Sequence, residues 1–101
     1  MRSDTVIFST IVRAVSEETR RLGLAVPGFR SPPRLTGADR TIRRRAGETT
    51  VAIRLRHRPF ADVVADVVEG VVVANQVPPG QDIKVRCRLL SAVEAIMEQA
   101  A

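Results

Sequence analysis

The chain has 101 residues, 45% of them hydrophobic, and a formal net charge of +5. That length is one domain's worth of sequence and can bury a core without staples, and a single cysteine excludes an internal disulfide framework and a cysteine-rich zinc site. Three phenylalanines, with no Trp or Tyr, leave the core to Val, Ile, Leu and Ala and leave few platforms for stacking single-stranded bases.

The first predicted element is a helix over residues 4–22. Ser3 and Asp4 are candidate N-caps. Ile7, Phe8, Ile11, Val12, Val15 and Leu22 form an apolar stripe at helical spacing, opposite Arg13, Glu17, Arg20 and Arg21. Gly23 is placed to end it. Residues 24–40, LAVPGFRSPPRLTGADR, are too rich in Pro and Gly for a helix and read as a long irregular loop. Loops this long in small domains are often functional, so Phe29, Arg30 and Arg34 are candidate docking residues. The competing reading is a surface crossing pinned by Phe29.

Residues 41–58, TIRRRAGETTVAIRLRHR, alternate with period two. Thr49, Val51, Ile53 and Leu55 share one face; Thr50, Ala52, Arg54 and Arg56 share the other. With Gly47 at the turn, the pattern predicts a two-stranded antiparallel hairpin. Its inner face would be apolar, with Val51, Ile53 and Leu55 buried. Its outer face would expose Arg54 and Arg56. Such a hairpin needs helices packed on it to be stable.

Pro59 suits a helix start. Val63/Val64, Val67/Val68 and Val71/Val72 recur every four residues beside an acidic stripe of Asp62, Asp66 and Glu69. A helix over 59–75 follows, despite the poor helix propensity of valine and Gly70. Its wide apolar circumference implies a buried central helix or, alternatively, a homodimer interface. Residues 83–89 alternate like a strand, yet Ile83, Cys87, Leu90, Val93 and Met97 continue a helical face beyond Leu89. Length favours one helix over 82–98, with a third strand at 83–89 as the alternative. The expected fold class is α+β: N-terminal helix, long loop, hairpin and two C-terminal helices in a single domain, 1–101.

Charge is unevenly placed. Residues 30–58 hold nine arginines against Asp39 and Glu48. Fifteen of the sixteen basic residues are Arg, which a GC-rich genome explains better than guanidinium recognition does. The expected function is a non-enzymatic binding or adaptor protein. It would meet an acidic protein partner through Arg43, Arg45, Arg54, Arg56, Arg58 and the preceding loop. The alternative is duplex nucleic acid, with the same arginines along its phosphates. A third reading needs no partner, the arginines being solvated or neutralised by the acidic stripe. No phosphate loop or nucleophile elbow occurs, and His57 and Cys87 alone make neither a catalytic pair nor a metal site, so no cofactor is expected. The lone cysteine and the lack of a signal peptide or membrane-length apolar run point to the cytoplasm.

The runs SDTVIFSTIVRAVSEETRRLGLAVPGFRSPPR, TIRRR and RPFADVVADVVEGVVVANQ together resemble the small conserved hypothetical proteins of mycobacteria and related actinobacteria. That resemblance implies a bacterial, cytoplasmic protein and assigns no activity and no functional residue.

Overall fold

The structure, a computed structural model, describes residues 4–29, 50–55, 58 and 60–99. Within them the chain forms four helices: α1 (Asp4–Arg21), α2 (Thr50–Leu55), α3 (Ala61–Ala74) and α4 (Asp82–Gln99). No strand occurs among the described residues, so the architecture is all-α and not the expected α+β.

The hairpin is the element overturned. Its second arm is the short helix α2; its first arm, its turn, Arg56 and His57 lie outside the described residues. The physical reason is a shared pattern. Val51 and Leu55 lie two alternations apart, but they also lie four residues apart, which puts them on one helical face. In α2 that face packs on α4, with Leu55 1% exposed and Val51 half-buried. Leu55 would be buried in either conformation; the packing of this face on α4 decides for the helix and overrides the β propensity of Thr, Val and Ile in so short a run. The third strand at 83–89 is overturned as well: these residues are the first half of α4.

The helix α3 is central. Ala61, Val63, Val64, Ala65, Val67, Val68, Val71 and Val72 are all buried. Ile11, Ala14 and Val15 from α1 meet them, with Leu55, Phe60, and Leu89, Leu90 and Val93 from α4. The helix α4 packs against each of the other three, and α1 also packs on α3. Thr19, fully buried on α1, satisfies its hydroxyl locally by donating to Val15 O at 2.6 Å.

Two helices end in the same backbone motif. After α1, Gly23 takes φ 75°, its N–H bonds to Arg20 O, and Leu24 N–H bonds to Thr19 O, both at 3.0 Å. After α3, Gln76 takes φ 50°, with Gln76 N–H bonded to Val73 O at 3.1 Å and Val77 N–H to Val72 O at 3.2 Å. Both are Schellman closures, but only the first has the glycine that the left-handed position favours.

Candidate binding surfaces

Three of the described arginines, Arg54, Arg86 and Arg88, are tied into ion pairs between helices. Arg54 on α2 grips Glu94 on α4 with two nitrogens: Nη2 donates to Oε1 at 2.6 Å, and Nε donates to Oε2. This fork holds the Glu94 carboxyl below its ordinary pKa, chiefly through the hydrogen bonds from Arg54, and raises that of Arg54. Arg86 on α4 is more enclosed. It donates to both Glu69 oxygens on α3, at 2.5 and 2.9 Å, and to Asp82 one turn back on its own helix. Its side chain is 12% exposed and that of Glu69 14%. The Arg86 hydrogen bond lowers the Asp82 carboxyl, and Gly80 N–H, donating to Oδ1 at 3.1 Å, adds to it.

Glu18 on α1 carries the third pair. Arg88 on α4 donates to its Oε2 from Nη2 at 2.7 Å and from Nε at 3.0 Å, and Arg21 donates to Oε1 at 3.0 Å. Burial acts to raise this carboxyl, but the hydrogen bonds and charges of Arg88 and Arg21 outweigh it and the pKa is lowered. The pair borders a groove of about 480 Å³ between α1 and α4, floored by Ala14, Ala92 and Ala95.

Of the five arginines expected to form a contact face, two are described. Arg54 is exposed, as expected, but it is engaged with Glu94. Arg58 is exposed, with its guanidinium 6.0 Å from the centre of the Phe60 ring, at the outer limit of a cation–π contact. Arg43, Arg45 and Arg56 lie outside the described residues, as do Arg30 and Arg34 of the docking loop. The acidic stripe on α3 does not act as one unit. Glu69 turns to Arg86, whereas Asp66 is exposed and makes no ion pair or hydrogen bond among the described residues.

Phe29 is half-buried against the core beside Gly70, where a Cβ would lie 3.5 Å from its ring. With Phe8, Gly28, Val63, Asp66 and Val67 these two residues line a groove of about 250 Å³ between α1, the 24–29 loop and α3. The loop is fixed by Asn75. Its Nδ2 donates to Ala25 O at 2.8 Å and to Val71 O at 2.9 Å, and its Oδ1 accepts from Ala25 N–H at 2.9 Å.

Sequence reasoning missed Asn75 and the acceptors Glu18 and Glu94. The Asp82–Arg86 and Glu18–Arg21 pairs lie within one helical turn; the pairs between helices join residues 17 to 70 positions apart. Among the described residues no group of three His, Cys, Asp or Glu is arranged to hold a metal ion, and no helix is long and apolar enough to cross a membrane. Cys87 is half-buried on α4. The chain matches no protein-family model, no curated protein and no solved structure.

Proposed function

We propose that the chain is a small non-enzymatic binding protein that meets an acidic protein surface through the arginines of residues 30–49, Arg43 and Arg45 foremost. The supporting observation is how the described charges are engaged: Arg54, Arg86 and Arg88 each bond to a carboxylate of the same chain. The described residues carry eight basic and nine acidic side chains. Residues 30–49 carry six arginines against Asp39 and Glu48, so the positive excess of the sequence is concentrated there. The lack of stacking aromatics argues for a protein partner over single-stranded nucleic acid. A cytoplasmic setting belongs to the same proposal.

The test is titration of the intact chain with polyglutamate and with a DNA duplex of matched charge, across a range of salt. The proposal expects polyglutamate to bind and duplex binding to be weak at physiological salt. Tight duplex binding at that salt, with log K falling against log salt at a slope of about −3 to −4, would support phosphate recognition instead.

A further inference from the structure

The groove beside Phe29 has the features of a small-ligand site. Its lining includes two phenyl rings, Phe8 of α1 and Phe29 of the loop, with Val63, Val67 and Gly70 of α3. Gly70 contributes no side chain, which leaves the space beside Phe29 open. Asp66 stands one helical turn from Gly70 on the same face of α3, exposed and without an ion pair or hydrogen bond among the described residues. Glu69, by contrast, is held by Arg86. The loop that carries Gly28 and Phe29 is anchored by Asn75 through both the N–H and the C=O of Ala25, which limits its freedom before any ligand arrives.

These groups select one chemistry. Phenyl faces attract cations as well as apolar surface. A free carboxylate at the rim selects positive charge and rejects negative. A cavity of about 150 Å³ holds benzene; the groove, at about 250 Å³, has room for one ring and a short charged arm. We propose that the groove between α1, the 24–29 loop and α3 binds a small organic monocation of the arylalkylamine class, its ring between Phe8 and Phe29 and its ammonium on Asp66. This site is independent of the arginines of residues 30–49.

The test follows backbone amide resonances of the full chain during titration with phenethylammonium, with 2-phenylethanol as the neutral control. Saturable shifts at Gly28, Phe29 and Gly70 in the millimolar range are expected, as befits so small a ligand. The alcohol should bind more weakly. Asp66→Asn, at an exposed position that the fold does not rely on, should weaken the amine roughly three- to fivefold and leave the alcohol unchanged. Gly70→Leu, which fills the space beside Phe29, should abolish both. The proposal is overturned if the amine gives no saturable response, if its affinity survives Asp66→Asn, or if the alcohol binds equally well.

Discussion

The Asn75 carboxamide closes a two-way bridge on Ala25, accepting its N–H at 2.9 Å and donating to its C=O at 2.8 Å. One side chain at the C-terminal end of α3 thus fixes the loop leaving α1, fifty residues earlier in sequence. Asn75→Ala removes both bonds and the bond to Val71 O. Because the site is largely solvent-exposed, the expected loss is modest, about 1–2 kcal/mol. Chemical denaturation should show it, and hydrogen exchange should show the Ala25 amide losing protection while the α4 core amides keep theirs. An Ala25 amide equally protected in the variant would show that the bridge does not hold the loop.

Gly70 lies inside α3, where glycine costs helix stability. A methyl there would meet the Phe29 ring at 3.5 Å, an ordinary van der Waals distance. Gly70→Ala should therefore raise stability by about 0.5–1 kcal/mol and raise the thermal midpoint accordingly. A lower midpoint would mean that Phe29 packs more tightly on α3 than the structure indicates.

Gln76 closes α3 in the left-handed region, which costs a side-chain-bearing residue about 1 kcal/mol. Gln76 is exposed, so little packing is lost on its removal. Gln76→Gly should stabilise the chain by up to about 1 kcal/mol, and Gly23→Ala, the converse change after α1, should destabilise it by a similar amount. Thermal unfolding of the two variants should move in opposite directions; movement in the same direction would contradict the closure argument.

Acid should weaken the fold in a defined window. Glu94, Asp82 and Glu18 all have folded pKa values below their ordinary ones, because Arg54, Arg86 and the Arg88–Arg21 pair favour the ionised carboxylates. A depressed folded pKa gives stability that is fully present above the unfolded value and is lost as pH falls through the folded value. Urea midpoints should thus change little from pH 7 to about pH 5 and fall steadily below about pH 4.5. Replacing Glu94 with Gln should flatten that fall by removing one of the three groups. A midpoint independent of pH down to about pH 3 would show the pairs contribute nothing to stability.

Much of the helical framework was legible in the sequence. The α1 stripe from Ile7 to Leu22, the paired valines of α3 and the helical period of α4 each span several turns, and length favours the helix; on α4, however, Ile83 is exposed and Leu89, which the predicted face left out, is fully buried. The segment TVAIRL failed because six residues satisfy two periods at once, and the choice is made by α4, to which the local pattern does not refer. The engagement of Arg54 was not legible for a related reason. Alternation placed Arg54 on an exposed face, and it is exposed, but its partner Glu94 lies forty residues away. Whether a surface arginine is engaged or available is a tertiary property.

The central claim is that two sets of arginines differ: Arg54, Arg86 and Arg88 brace the helices, and those of residues 30–49 are the ones we propose to bind an acidic partner. The most direct measurement is the affinity for polyglutamate of two variants, Arg54→Gln and the double variant Arg43→Gln/Arg45→Gln. The account predicts that Arg54→Gln binds as the parent chain does, because its guanidinium is held by Glu94, and that the double variant loses most of the affinity. Equal losses in both, or a loss confined to Arg54→Gln, would contradict that division.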